Sequence, residues 1–158
     1  MTVAELLDQA RDRGLKIATA ESCTGGMISA ALTDTPGSSD VVDRGFVTYS
    51  NAAKAEMLGV SQATLTAHGA VSEQVAQEMA DGALAHSRAD LAVSVTGVAG
   101  PGGSGFKPEG RVCFGLARTG QPTRTETVEF GALGRDRVRR AARDHALHLL
   151  QTGISQDV

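Results

Sequence analysis

The stretch LAVSVTGVAGPGG, residues 91–103, decides the fold class. Its first half, LAVSVTG (91–97), is a short run of apolar and β-branched residues, which is typical of a strand that is buried on both faces of a parallel sheet. Its second half is rich in glycine and predicts a loop. In α/β proteins, ligands bind where such loops leave the carboxyl ends of strands. We therefore expect 91–97 to be a central strand beside a ligand site.

Strand and helix patterns alternate on both sides of this stretch. LKIATA (15–20) and VVDRGFVTYS (41–50) predict two more strands, and RVCFGLA with TRTETVEF predicts an antiparallel hairpin. Capping residues and apolar spacing predict helices at about residues 2–13, 27–32, 51–58, 73–87 and 135–151, and a short helix that begins after Ser61. This alternation predicts a single α/β domain over residues 1–158, with a mixed sheet.

Composition excludes several classes of protein. The chain of 158 residues has a net charge of −3, and no apolar run reaches the ~18–20 residues of a membrane-spanning helix. One Tyr and no Trp in a net-acidic chain do not fit a nucleic-acid-binding protein. Cys23 and Cys113 have no zinc-site spacing, and the amino terminus does not resemble a signal peptide. We expect a cytoplasmic protein without a metal, a membrane partner or a nucleic-acid partner.

Small-residue loops are the first candidate functional feature. They are ESCTGG (21–26), PGSS (36–39) and TGVAGPGG (96–103). Glycine has no Cβ, so its backbone N–H can approach an anion closely. A simple tight turn would explain any one of these loops. Two of them follow predicted strands, however, which favours a phosphate-bearing ligand.

Ser39, Tyr49 and Lys54 are the second candidate feature. The chain has three lysines and a single tyrosine, and Tyr49 precedes Lys54 by five residues. A serine hydroxyl is a weak nucleophile without a base, and a desolvated lysine can be that base. Tyr49 would relay the proton or hold the lysine amine. On spacing alone, an unreactive loop serine and a solvated lysine remain the alternative.

Two further side-chain types have a functional and a structural interpretation. Cys23 precedes a possible helix N-terminus, which would activate a thiol, but a free cysteine is also a common buried filler. Arg135, Arg139 and Arg143 share one face of the last helix, and Arg135 lies in its first turn. Arginine binds phosphate with two parallel hydrogen bonds, whereas a solvated face with ion pairs is the alternative.

An ordered set of motifs resembles a known family. The chain resembles the CinA C-terminal domain family, the nicotinamide-nucleotide amidohydrolases, over roughly residues 5–150. The resemblance is to the stand-alone form, without the amino-terminal domain of longer CinA proteins. The motifs that carry it are TAESCTGG (19–26), PGSS (36–39), GFVTYSNAAK (45–54), LGV (58–60), HGAVSE (68–73), TGVAGPGG (96–103) and KPEGRV (107–112).

The resemblance implies a three-layer α/β/α domain with a mixed, mostly parallel sheet. It implies hydrolysis of the carboxamide of nicotinamide mononucleotide to nicotinic acid mononucleotide and ammonia, without a metal or cofactor. Ser39 is implied as the nucleophile, with Tyr49 and Lys54 as the base. We expect a small-molecule nucleotide as the partner and a homo-oligomer, a dimer, as the assembly. The resemblance implies substrate contacts at Ser22, Thr96 and Arg135, and we expect the glycine loops to hold the phosphate through Thr24, Gly25, Gly26, Gly97 and Gly100.

Two other functions compete with this hypothesis. One is a non-catalytic nucleotide-binding or regulatory module linked to competence, which would keep the glycine loops. The joint presence of Ser39, Tyr49 and Lys54 argues against it, because binding alone does not need all three. The other is a thiol hydrolase that uses Cys23.

Overall fold

The computed structural model describes residues 1–156, which form a five-stranded sheet, six α-helices and one 3-10 turn. The strands are β1 (Ile17–Glu21), β2 (Val42–Val47), β3 (Leu91–Gly97), β4 (Arg111–Arg118) and β5 (Arg124–Glu129). The helices are α1 (Val3–Asp12), α2 (Met27–Thr33), α3 (Asn51–Leu58), α4 (Gln62–His68), α5 (Glu73–Ala85) and α6 (Arg135–Ser155), and the 3-10 turn spans Ser38–Asp40.

The sheet is mixed, as predicted, and its strand order is β2-β1-β3-β4-β5. β1 pairs in parallel with both β2 and β3, whereas β4 is antiparallel to β3 and to β5. Four strands therefore run in one direction and only β4 is reversed, although two of the four pairings are antiparallel. The central position of β3 and the β4–β5 hairpin are both confirmed.

Helices cover both faces of the sheet in three layers. α1, α2 and α6 pack on one face, while α3, α4 and α5 form the layer on the other. Glycine allows the helices of the second layer to pack closely against each other. A Cβ added to Gly82 of α5 would come within 2.0 Å of the Leu58 carbonyl oxygen of α3. A Cβ on Gly115 of β4 would come within 2.6 Å of the Ala76 carbonyl oxygen. The high alanine and glycine content therefore allows close backbone packing.

Local capping signals fix most helix starts. Thr2 and Glu5 form the predicted capping box of α1, and Ser61 and Ser72 cap α4 and α5. The last helix is longer than predicted and continues to Ser155 instead of ending near residue 151. Its extra turn is stabilised by burial of Ile154 and by Gly153, where a Cβ would come within 2.8 Å of a Leu91 side-chain carbon.

Parallel pairing gathers three loops at one edge of the sheet. Because β1, β2 and β3 run together, the residues after Glu21, Val47 and Gly97 all leave at the carboxyl edge. The 3-10 turn before β2 lies at the opposite, amino edge. Within residues 1–156, no helix is long and apolar enough to cross a membrane.

Candidate active site

A cleft of about 380 Å³ opens at the carboxyl edge of the parallel strands. It is bounded by the loop after β1, the start of α3, the loop before α5, the glycine-rich loop after β3 and the first residue of α6. The lining consists of Ser22, Cys23, Tyr49, Asn51, Lys54, Ala70, Val71, residues 96–104 and Arg135. Lys54 and Arg135 are the charged members of this lining, which contains no carboxylate among the residues described.

Lys54 is buried on α3, with only 1% of its surface exposed. Its Nζ lies 3.0 Å from Ser22 Oγ, and it donates to the carbonyl oxygens of Thr48 at 3.1 Å and Tyr49 at 3.2 Å. Burial away from water lowers the pKa of Lys54 below its usual value of 10.5. An amine with a lowered pKa is more readily uncharged, so it can act as a base.

Ser22 is the hydroxyl that Lys54 contacts. It directly follows β1, where its backbone N–H donates to the Val95 carbonyl oxygen at 3.0 Å and so fixes it against β3. Its side chain lines the cleft, and the residue is 8% exposed. The sequence predicted a substrate contact for Ser22. The structure places its hydroxyl beside the Lys54 amine, so that the two form a serine–lysine pair.

Within one chain, Ser39 and Lys54 lie at opposite ends of β2, whereas the sequence predicted that they pair. Ser39 lies in the 3-10 turn before β2. An ion pair of 2.9 Å between Arg11 of α1 and Asp40 of the turn joins this turn to α1. Tyr49 and Lys54 follow β2. The whole strand therefore separates them from Ser39, a span of about 20 Å at the usual strand rise. Because β2 runs parallel to β1 and β3, the PGSS loop lies at the amino edge of the sheet, opposite the edge where the same chain's cleft opens.

Tyr49 and Arg135 meet at the mouth of the cleft. Arg135 Nη2 donates to the Tyr49 hydroxyl at 2.9 Å, and Nη1 donates to the Gly100 carbonyl oxygen at 2.8 Å. The Tyr49 hydroxyl was expected to assist Lys54, but the contact with Lys54 is made by the Tyr49 backbone carbonyl. Arg135 thus lies at the cleft as predicted, and Tyr49 contacts it rather than the lysine amine.

In the first glycine loop, the backbone N–H groups of Gly25 and Gly26 are bonded within the protein. Glu21 is fully buried, and its Oε1 accepts from the Thr24 hydroxyl at 2.6 Å and from the backbone N–H of Gly26 at 3.2 Å. The same carboxylate accepts from the N–H groups of Ile28 and Ser29, each at 3.0 Å. Thr24, Gly25 and Gly26 are absent from the cleft lining described above. The expected phosphate cradle is therefore an internal cap on α2.

The second glycine loop forms one wall of the cleft. Gly97 and Gly100 line it, as expected, and Thr96 anchors the opposite wall by donating from Oγ1 to the Ala70 carbonyl oxygen at 2.8 Å. Glu109 holds the loop in place: it accepts from the backbone N–H of Gly102 at 2.7 Å and from that of Gly134 at 2.9 Å. The loop is thereby fixed to the start of α6, where Arg135 lies.

Cys23 has the environment of a structural cysteine. Burial raises the pKa of its thiol to about 11, so the thiolate is scarce near neutral pH. Arg139 donates from Nε to the Cys23 carbonyl oxygen at 3.0 Å and from Nη2 to that of Thr24 at 3.3 Å. Arg143 pairs with Asp144 at 2.9 Å. Of the three aligned arginines, Arg135 alone lines the cleft.

Several residues with a clear part in the site were missed at the sequence level. Glu21 and Glu109 clamp the two glycine loops, and Asn51 lines the cleft at the start of α3. Lys107 donates to the carbonyl oxygens of His68 and Val71, and so holds the loop opposite the glycine-rich wall. A buried strand that ends in a carboxylate, as IATAE does, was a usable signal for Glu21. No group of three or more His, Cys, Asp or Glu side chains in residues 1–156 is arranged to hold a metal.

Comparison with known proteins identifies the family. A family model described as the CinA C-terminal domain matches residues 2–154. The chain belongs to this family. The resemblance seen in the motifs and the predicted α/β fold are both confirmed.

Individual relatives fall into two sizes. The chain is 51% identical over 152 residues to the Escherichia coli K12 protein named nicotinamide-nucleotide amidohydrolase PncC, covering 95% of this chain and 92% of that one. It is 50% identical over 155 residues to a CinA-like protein of Chloroherpeton thalassium, covering 94% of this chain. That match covers 36% of the relative, so the chain spans about a third of the length of such CinA-like proteins.

A solved structure gives the same fold. The competence/damage inducible protein CihA from Agrobacterium tumefaciens has a TM-score of 0.93 to this chain at 48% identity. The match covers 98% of this chain and 93% of that one.

Proposed function

We propose that this chain hydrolyses the carboxamide of nicotinamide mononucleotide to nicotinic acid mononucleotide and ammonia. The observation that carries the proposal is the 3.0 Å contact between Ser22 Oγ and the buried Lys54 Nζ on the wall of the cleft. The name of the Escherichia coli relative, which aligns with nearly all of this chain, supports the choice of substrate. The dimeric assembly and the cytoplasmic location stay predictions.

The hydrogen bonds around Lys54 suit a base. An uncharged amine has two N–H groups and one lone pair. In the structure Lys54 Nζ donates to Ser22 Oγ and to the carbonyl oxygens of Thr48 and Tyr49, as an ammonium does; in the uncharged form the two carbonyls keep the two N–H groups, which leaves the lone pair for the Ser22 hydroxyl. Backbone carbonyls are fixed acceptors, so the lone pair is oriented before substrate binds.

The reaction proceeds in two steps. Ser22 Oγ attacks the carboxamide carbon while Lys54 takes the hydroxyl proton. Lys54 then gives this proton to the departing nitrogen, which leaves as ammonia, and the nicotinoyl group stays on Ser22 as an ester. A water molecule, deprotonated by Lys54, attacks the ester and releases the carboxylic acid. Ser22 recovers its proton from Lys54, so the enzyme returns to its starting state.

The charge of the cleft supports an anionic substrate. The chain is net acidic, yet Arg135 brings a positive charge to the cleft and no carboxylate belongs to its described lining. Arg135 is exposed at the mouth and is held there by Tyr49 and Gly100. A substrate phosphate at the mouth would meet its guanidinium while the carboxamide reaches Ser22. Such a remote contact orients the reacting group.

The test is ammonia release from nicotinamide mononucleotide, nicotinamide riboside and free nicotinamide. We expect the mononucleotide to be strongly preferred and free nicotinamide to be inert. Arg135→Ala should lower kcat/KM for the mononucleotide by about 10- to 100-fold, because a hydrogen bond to a charged group is worth about 1.5–3 kcal/mol, and should affect the riboside far less. Arg140→Ala is the matched control, because Arg140 pairs with Asp136 on the same helix.

Two results would contradict this proposal. If the mononucleotide binds and no ammonia appears from any of the three compounds, the chain is a nucleotide-binding module. If Arg135→Ala reduces turnover of the riboside as much as that of the mononucleotide, Arg135 does not read the phosphate.

A further inference from the structure

Tyr49 supplies the aromatic ring of the cleft. It is the single tyrosine of the chain, and no other described residue of the cleft lining is aromatic. The residue is 62% exposed, although it belongs to a site whose other central members, Ser22 and Lys54, are buried. An exposed ring beside the reacting groups calls for a role other than packing.

Both ends of Tyr49 are anchored. Its backbone carbonyl accepts from Lys54 Nζ at 3.2 Å, and its hydroxyl accepts from Arg135 Nη2 at 2.9 Å. The ring between these two contacts is therefore held at the cleft without help from a ligand. Since the hydroxyl bonds to Arg135 and not to Lys54 or Ser22, the ring is the part of Tyr49 that is left to meet a substrate.

The charge of the proposed substrate raises a specific problem. A pyridine ring that is ribosylated on nitrogen is a flat cation. No carboxylate lines the described part of the cleft, so the ring cation has no ion-pair partner there. The face of an aromatic side chain attracts a cation and stacks on a flat ring, and this attraction grows when water is excluded.

We propose that the ring of Tyr49 is a specificity-determining group that recognises the positive charge of the substrate's pyridinium ring. This inference rests on the proposed function, because it takes an N-ribosylated pyridinium as the ligand. It gives Tyr49 a part in binding rather than in proton transfer. It also explains how a cleft with Arg135 at its mouth and no carboxylate in its described lining accepts a ligand that is cationic at one end and anionic at the other.

The experiment compares two redox forms of one nucleotide. Nicotinamide mononucleotide has a cationic aromatic ring, whereas its reduced form has a neutral dihydropyridine ring with the same carboxamide, ribose and phosphate. Dissociation constants for both are measured by calorimetry in a Ser22→Ala background, and ammonia release by the parent chain is measured in parallel. Tyr49→Leu should reduce the preference for the oxidised form by about 3- to 30-fold. Tyr49→Phe, which keeps the ring, should keep the preference.

Phe106→Leu is the matched control. Phe106 is fully exposed beyond the glycine-rich wall, so the same loss of a ring there should leave the preference between redox forms unchanged. The inference is overturned if Tyr49→Leu weakens both forms equally, or if Tyr49→Phe loses the preference as completely as Tyr49→Leu. Failure of the proposed function gives a different result, since the parent chain would then release no ammonia from the mononucleotide, whatever the two dissociation constants show.

Discussion

The two glycine loops after β1 and β3 have similar compositions and opposite roles. In the first, residues 22–26, the buried Glu21 accepts the free N–H groups at the start of α2. In the second, residues 96–104, the backbone forms a wall of the cleft. Glycine thus permits a tight turn in both loops, and each turn gives backbone N–H groups to a carboxylate, Glu21 in the first and Glu109 in the second.

The carboxylates that hold the two loops also differ. Glu21 is fully buried and serves one loop, whereas Glu109 is half-buried and joins its loop to the start of α6. The first loop is therefore part of the core, and it carries Ser22 as a fixed group. The second loop forms a wall of the cleft around Ser22 and is joined to the start of α6 at the mouth.

The largest effect should come from the hydroxyl on the first loop. Ser22→Ala removes the nucleophile and should lower kcat for ammonia release by at least about 1,000-fold. Ser39→Ala is the matched control at the opposite edge of the sheet, and it should stay within about twofold of the parent because it touches no part of the cleft. Combining Ser22→Ala with Lys54→Met should be no worse than either change alone, since the pair acts as one unit.

The opposite ranking would restore the sequence-based assignment. If Ser39→Ala abolishes turnover and Ser22→Ala does not, Ser39 reaches a cleft in some other way, and the serine–lysine pair on the first loop is not the reacting one. Circular dichroism of both variants checks that folding is unchanged.

A smaller effect is expected from pH, through Lys54. The amine must be uncharged to take the Ser22 proton, so log kcat/KM should rise with a slope of about one per pH unit and level off above the lowered pKa of Lys54. The unfolded chain binds the proton up to about pH 10.5, so the free energy of unfolding should also rise with pH between the lowered pKa and that value. A Lys54→Met variant should lose this pH dependence of stability; retention would contradict the assignment.

The smallest expected effect separates the two clamps. Glu21→Gln keeps the shape but places an amide against the Ser29 N–H, and we expect the free energy of unfolding to fall by about 1.5–3 kcal/mol. Glu109→Gln should lower the free energy of unfolding by less than about 1 kcal/mol, because its site is half-buried. Its main effect should be a raised KM rather than a lowered melting temperature. Urea unfolding and steady-state kinetics measure both. Equal stability losses would show that the two loops are clamped alike.

Much of the fold follows from local sequence signals. The β3 range matches its prediction, because a run of seven apolar, small or β-branched residues before a glycine-rich loop is typical of a buried strand. Ser61 and Ser72 cap their helices as predicted, because a cap depends on neighbours three residues away. The sequence also singled out Lys54 as a rare lysine near a single tyrosine, and the structure places it on the wall of the cleft.

The partner of Lys54 was decided by tertiary structure. Ser39 and Ser22 are both serines in small-residue loops, and nothing local distinguishes them. The direction of β2 does, because it carries Lys54 to the carboxyl edge beside Ser22 and leaves Ser39 at the amino edge. Likewise, the glycines of residues 22–26 indicated free N–H groups, but Glu21 accepts them only once β1 and α2 are packed together. Sequence determined which groups were available for chemistry, and strand direction with burial determined which of them meet.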